Sequence, residues 1–212
     1  AEPLVDTAFV GVPWLLARGD TASLAAIAAG EMTMPLPHAV NPWVADGTGH
    51  PLTSVDPLRR LTTGTGEADD YLLDLGALMS AAQLAGLADA MLGQATEYAR
   101  IRTQFGQPIG AFQAIKHQLA TCVVAIEFAK PVLWRAADAL QHARSSAPVH
   151  VSHAKVATTD AAILAAETAI QVHGAMGYTY EVDLHFWMKR SWALSGAWGT
   201  RAFHLKRIDE AV

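Results

Sequence analysis

Residues 77–101 place Leu78, Ala81, Ala82, Ala85, Ala88, Leu92, Ala95 and Ala99 at steps of three and four. That spacing lays them along one side of a helix of about seven turns, longer than an average globular helix. A helix this long and this rich in alanine buries its stripe best against other helices of similar length. The rest of the chain supplies them. "FGQPIG" interrupts the periodicity with Gly106, Pro108 and Gly110. A second helix from about 112 carries Ile115, Leu119, Val123, Ile126 and Leu133, with Pro131 predicting a kink or a join. "RSSAP" at 144–148 ends it, a third helix spans roughly 151–173, and "HGAMG" closes that one. A fourth and a fifth occupy about 181–196 and 199–210. Long helices joined in order by short loops describe an antiparallel bundle.

The first 70 residues read differently. "FVGVPWLLARGD" and "TASLAAIAAG" are short helices parted by a turn at Gly19-Asp20. "EMTMPLP" alternates briefly like a strand, and "HPLTSVDPLRRLTTGTGEADD" is rich in turn formers and threonine. Three regions result: helical 1–30, a sparse strand-bearing 31–73, and a helical bundle over 74–212. The fold class is therefore mainly α, with a β portion too thin for a complete domain. Charged residues make up only 17% of the 212, against roughly 25% in typical soluble domains. Thinly charged, Ala-rich helices are expected to be buried on more than one side, in a core or against partner subunits. The net charge of -5 disfavours nucleic acid but leaves room for a small anionic ligand held by local donors. A lone Cys122 excludes an internal disulfide and fits a reducing, cytoplasmic compartment. No uninterrupted apolar run approaches the roughly eighteen residues of a membrane span.

Two clusters stand out. In "YARIRTQFGQPIG", Arg100 and Arg102 close a long helix before a glycine-punctuated loop. Arginine favours helix C-termini and glycine supplies caps, which explains the pattern without a ligand. The alternative is that Arg102 offers a forked donor to a phosphate, Gln104 adds an amide and Phe105 covers a flat ring. Neither GxGxxG nor GxxxxGK[ST] accompanies them, so Rossmann and P-loop modes are not indicated. In "QVHGAMGYTYE", Gln171 stands near a helix end, and Gly174 and Gly177 allow close backbone approach to a ligand. A plain helix–turn–helix corner is the competing reading. Together, on consecutive bundle corners, the clusters form a plausible surface for a dinucleotide diphosphate.

Other groups carry less. His150 and His153 could share a helix face, but no third ligand can be named, so no metal is expected. His173 and His185 read as packing or hydrogen-bonding residues, Cys122 as a buried inert thiol, and Glu127 and Glu167 as solvated acids. Trp134, Trp187, Trp192 and Trp198 read mostly as core or interface anchors.

The succession "RTQFGQPIGAFQAIKHQLA", "QVHGAMGYTYE" and "GAWGT" resembles the C-terminal helical domain of the acyl-CoA dehydrogenases. The family pattern is Arg-x-x-Phe-Gly-x-x-Ile-x-x-x-Gln, then Gln-x-x-Gly-Gly-x-Gly-Tyr, then Glu-Gly-Thr. The likeness is strong over about 71–210; "TSVDPLRRLTTG" is similar to the last strands of the family's middle β domain. The resemblance implies FAD shared across a subunit boundary. Arg102 then matches the pyrophosphate arginine, with Gln104 and Phe105 along the same strip. Ile109 and Phe112 match positions lining the adenine pocket. Gln171 and Val172 match a second strip whose backbone donor falls at Ala175, and Thr200 matches the threonine of Glu-Gly-Thr.

One departure is decisive. Counted from Gln171, the position of the family's catalytic glutamate is Trp198, and the alternative base position of some members is Gly76. No catalytic residue is therefore assigned to this chain. The resemblance implies a β-type subunit like those of the α2β2 acyl-CoA dehydrogenases of actinobacteria, many of which desaturate CoA thioesters derived from steroids. The partner would be a homologous catalytic subunit that binds most of the acyl-CoA and supplies the glutamate, with electron-transfer flavoprotein as acceptor. Two other readings stay open: an independently active flavoenzyme with another base such as Glu181, and a helical scaffold without cofactor.

Overall fold

The computed structural model describes residues 7–32, 40, 43–44, 51–53, 60–63 and 69–211. A single π-helical turn, Thr7–Gly11, leads into α1 (Val12–Arg18), which Gly19 ends in the left-handed conformation at φ 69°. Asp20 caps α2 (Thr21–Ala28) by accepting from the Ser23 backbone N–H at 3.0 Å. Three short strands follow: β1 (Trp43–Val44), β2 (Pro51–Thr53) and β3 (Arg60–Thr63). They form an antiparallel sheet in the order β1-β3-β2, with Trp43 opposite Thr63 and Leu52 opposite Leu61. The expected "EMTMPLP" strand lies mostly outside the described residues.

Helix α3 runs from Asp70 to Ile101, starting earlier than its apolar spacing predicts. Asp69 is the reason: its carboxylate accepts from the backbone N–H groups of Tyr71 (3.0 Å) and Leu72 (3.2 Å), an N-cap. The same carboxylate accepts from Trp14 Nε1 at 3.0 Å and Arg18 at 3.3 Å, which ties α1 to the start of the bundle. Residues 72–78 are all buried, so this end of α3 is enclosed on every side.

Helix α4 (Gln113–Gln141) continues through Pro131 as one element, where the sequence allowed a join. Pro131 is exposed, and the carbonyl it leaves unbonded, that of Glu127 four residues back, belongs to an exposed residue. Helix α5 (Ala147–His173) returns alongside, followed by α6 (Leu184–Gly196) and α7 (Arg201–Asp209). Buried Ala77, Ala81, Ala88, Ala95 and Ala99 of α3 share one core with Ala154, Ala161, Ala162, Ala165 and Ala169 of α5. Small side chains on both helices allow close packing, and Leu84, Met91, Ile126, Val151 and Leu194 fill the remaining volume. By length and composition α3 is apolar enough to cross a membrane, yet 61% of its most apolar window is buried inside the bundle.

Candidate functional site

Two ends of α3 matter. At its C-terminus the chain turns into a two-strand hairpin, β4 (Thr103–Gln104) against β5 (Gln107–Pro108). Phe105 (φ 51°) and Gly106 (φ 81°) are its central residues, both left-handed, the pattern of a type I′ turn. A phenylalanine held there costs about 1–2 kcal/mol of backbone strain. Even so, its ring is 91% exposed and meets Phe112 edge to face, 6.1 Å between centroids. Arg102 is exposed beside it and makes no side-chain hydrogen bond or ion pair among the described residues. The Arg102 backbone bonds Tyr98 O at 2.9 Å and receives Ile109 N–H at 2.8 Å, which clamps the hairpin to the helix end. Gly110 lets it lie close, since a Cβ there would stand 2.9 Å from Ala99 O. Gln104 is exposed, whereas Ile109 and Phe112 are half-buried under the hairpin.

The second strip meets this one. The Tyr98 ring of α3 stacks on His173 of α5 at 4.3 Å, and His173 Nδ1–H donates to Ala169 O at 2.7 Å. The last turns of α3 and α5 therefore share one end of the bundle. Gln171 and Ala175 are exposed there, Val172 is buried, and Gly174 turns the chain at φ 60°. Arg102, Gln104, Phe105, Ile109, Phe112, Gln171, Val172 and Ala175 thus lie at the same end of the bundle. Thr200 is not among them: it caps α7, accepting from Phe203 N–H at 3.3 Å, near the opposite end of the bundle.

That opposite end holds Trp198. Its indole is 2% exposed and its backbone is left-handed at φ 56°. The ring lies on the backbone of Gly76: a Cβ there would overlap Trp198 Cδ2 and stand 2.5 Å from Cε2 and Cε3. The two positions that the resemblance assigns to a base, 76 and 198, are therefore in contact, and the indole fills the space between them. Along α3, Gly76 and Ile101 are separated by about 38 Å of helix.

A buried polar chain fixes the Trp198 turn. Arg207 donates to Asp74 Oδ1 at 2.8 Å and to Ser152 Oγ at 3.4 Å. Ser152 Oγ is 3.1 Å from His204 Nδ1, and His204 Nε2 is 3.0 Å from Trp198 O. A carbonyl only accepts, so Nε2 carries the proton and Nδ1 receives the Ser152 hydroxyl. Burial, more than any charge, holds the His204 pKa down at about 4, keeping the imidazole neutral. Gly199 follows at φ 103°, where a Cβ would stand 2.7 Å from His204 Nε2. Buried Lys155 donates to Leu194 O (2.6 Å) and Ser195 O (3.2 Å), capping the C-terminal carbonyls of α6. Burial lowers its pKa to about 7.

Asp74, Ser152, Lys155, His204 and Arg207 form no sequence motif, and their links span up to 133 residues. Burial raises the Asp74 pKa, with the Arg207 hydrogen bond opposing it. Asp74 is nonetheless not a stand-in base, because positions 74 and 76 point about 200° apart on a helix. Its carboxylate faces the arginine, away from the indole.

The remaining groups are ordinary. Cys122 is buried, its Sγ 3.2 Å from Thr168 Oγ1, and burial pushes the thiol pKa up. Glu127 pairs with Lys130 at 2.6 Å, and Glu167 is exposed. His185 packs between Tyr180 and Phe186. Glu181 is exposed before α6, with that helix, about 20 Å long, separating it from Trp198. Trp187 and Trp192 are part-exposed at 38% and 41%, and Trp134 is 66% exposed, so Trp198 is the core tryptophan of the four.

Residues 64–212 match the family described as "Acyl-CoA dehydrogenase, C-terminal domain". The chain belongs to the acyl-CoA dehydrogenase family. It is 34% identical over 171 residues to the acyl-CoA dehydrogenase IpdE2 of Mycobacterium tuberculosis, covering 78% of this chain and 52% of that protein. The IpdE2 of Mycolicibacterium smegmatis is 30% identical over 224 residues, covering 100% of this chain and 67% of that one. The chain thus spans between half and two thirds of the length of these relatives. Among solved structures, butyryl-CoA dehydrogenase from Megasphaera elsdenii superposes with a TM-score of 0.69 at 27% identity, over 80% of this chain and 50% of that one. The mainly helical architecture, with its C-terminal bundle, N-terminal helices and reduced sheet, is that of this family.

Proposed function

We propose that the chain is the non-deprotonating subunit of a heteromeric, FAD-dependent acyl-CoA dehydrogenase. It would clasp the adenine and pyrophosphate of a flavin whose reactive ring is served by a partner. The contact between Trp198 and Gly76 carries this reading: both positions that could hold a base are taken, one by an indole and the other by the glycine beneath it. An indole neither takes nor gives a proton near neutral pH, and its bulk occupies space an acyl chain would need.

The other end of the bundle fits an FAD tail. The Arg102 guanidinium, without a partner among the described residues, suits a pyrophosphate, and the strained, exposed Phe105 offers a flat face to adenine. Gln171 and the backbone at Ala175 stand beside them as further polar contacts. When bound, flavin supplies the hydride acceptor; this chain's residues bind and orient it and offset its charge. A glutamate of the homologous partner would remove the α-proton, in an α2β2 assembly that passes electrons to electron-transfer flavoprotein. The indole-filled cavity and the similarity to IpdE2 proteins favour a bulky acyl-CoA, of steroid origin, held mainly by the partner.

Arg102→Ala in the purified complex tests the clasp. The expected result is loss of bound flavin, with a weaker association of the two subunits, since a ligand shared between chains stabilises both. Unchanged flavin content and activity would refute the assignment. The chain purified alone should not reduce dye with acyl-CoA; turnover by it alone would favour an independent flavoenzyme.

A further inference from the structure

A groove of about 730 Å³ opens between α4, α5 and α7, at the end of the bundle away from the hairpin. Its floor is apolar, built from Val132, Val156 and Ile208 among others, while Arg135, His150 and His153 supply its charge and polarity. No carboxylate lines it, and Arg135 makes no hydrogen bond or ion pair among the described residues. His150 belongs to the first turns of α5, whose positive dipole end begins at Ala147 with no side-chain cap from Ser146. Partial burial first, and then the positive charges of Arg135, His153 and Arg144, hold the His150 pKa below its usual value. Of these cations Arg144 is paired with Asp138 at 2.8 Å, whereas Arg135 has no partner among the described residues. The volume is that of a small-molecule site, which typically spans about 300–1,000 Å³.

From the apolar floor, the cationic side and the helix terminus together, we infer that this groove binds a small amphiphilic anion: a carboxylate with an extended hydrocarbon body. The carboxylate pairs with Arg135 and takes hydrogen bonds from His150 and His153, and the hydrocarbon lies over Val132, Val156 and Ile208. The site is separate from the flavin clasp, and the inference does not depend on the proposed function.

Calorimetric titration of the full chain with dodecanoate, below its micelle concentration, tests this. One-to-one binding is expected, at least ten-fold tighter than that of dodecyltrimethylammonium, which has the same tail and the opposite charge, or of inorganic phosphate, which has no tail. Arg135→Glu removes the anion partner and Ala157→Trp fills the floor; each should weaken dodecanoate at least ten-fold while leaving the far-UV circular dichroism spectrum unchanged. Equal binding of the cationic analogue, affinity untouched in both folded variants, or no binding overturns the inference. So does a protein chain that co-purifies through this groove, is lost with Arg135→Glu and is not displaced by dodecanoate.

Discussion

The contact between Trp198 and Gly76 predicts a specific failure of additivity. Gly76→Ala adds one methyl inside a helix, where alanine ordinarily gains about 1 kcal/mol over glycine. Here the methyl would overlap the fused bond of a fully packed indole. Neither side can yield easily. The glycine is part of α3 backbone enclosed on all sides, and the tryptophan backbone is held by His204 at 3.0 Å. Overpacking of this kind costs about 1–3 kcal/mol net, and the depth of the overlap places it at the upper end. Trp198→Ala removes the indole and should cost about 3–5 kcal/mol through the cavity it leaves. In that background Gly76→Ala meets open space, recovers its helix preference and refills part of the void, so it should stabilise. The cycle then gives a coupling of about 4 kcal/mol, equivalent to a midpoint shift of about 8–16 °C for a chain of this size. Urea unfolding of the full chain and its three variants, followed by circular dichroism at 222 nm, measures it. A coupling below about 0.5 kcal/mol, the ordinary additivity error, would mean that the indole does not lie on this glycine.

Three further outcomes follow from groups at the two ends of α3. His204 is neutral when folded, with its pKa lowered from 6.5 to about 4, so the unfolded chain takes up a proton first as pH falls. Its contribution is complete above pH 6.5 and is lost toward pH 4, at up to about 1.4 kcal/mol per pH unit; His204→Gln should flatten urea midpoints over that window. Lys155 has the same sign at higher pH: lowered from 10.5 to about 7, it makes stability rise between those values, a rise that Lys155→Met should abolish. At the other end, Phe105→Gly should raise stability by relieving left-handed strain of about 1–2 kcal/mol while lowering flavin retention in the complex. A variant that is both more stable and equally flavin-loaded would show that the ring serves no ligand.

The bundle was legible because its helices are amphipathic enough for apolar spacing to survive, and glycine or proline marks most of their ends. The start of α3 was not. Residues 72–78 are buried all round, so "YLLDLGAL" shows no contrast between faces, and only the Asp69 cap reveals the boundary. The hairpin at 103–108 read as a mere break, since strands two residues long leave no periodic trace. The residues proposed to clasp a flavin were legible as motifs because each strip is continuous in sequence. The network beneath Trp198 was not, because Asp74, Ser152 and His204 come from three helices and each looks like an ordinary polar residue of its own. Thr200 carries two readings: the resemblance expects it at a cofactor position, and its hydroxyl accepts from Phe203 N–H as the cap of α7.

The same geometry bears on how a base could be lost here. A glutamate at 76 would have to pass through the indole, and a glutamate at 198 would leave the floor above Gly76 empty while burying a carboxylate where the indole now lies. Each residue therefore makes the other's present identity the stable one. Restoring a base takes more than one substitution, because Trp198→Glu alone creates both a cavity and an excess buried negative charge. The two ends of α3 need not share that fate. About 38 Å of helix separates Gly76 from the hairpin, and the contacts that clamp Arg102 and Phe105 run to Tyr98, Ala99 and Phe112, none of which touches the Trp198 network. The indole can therefore close the space over Gly76 while the hairpin at the other end keeps its own packing, and these are the two features that the proposed division of labour within a heteromer needs.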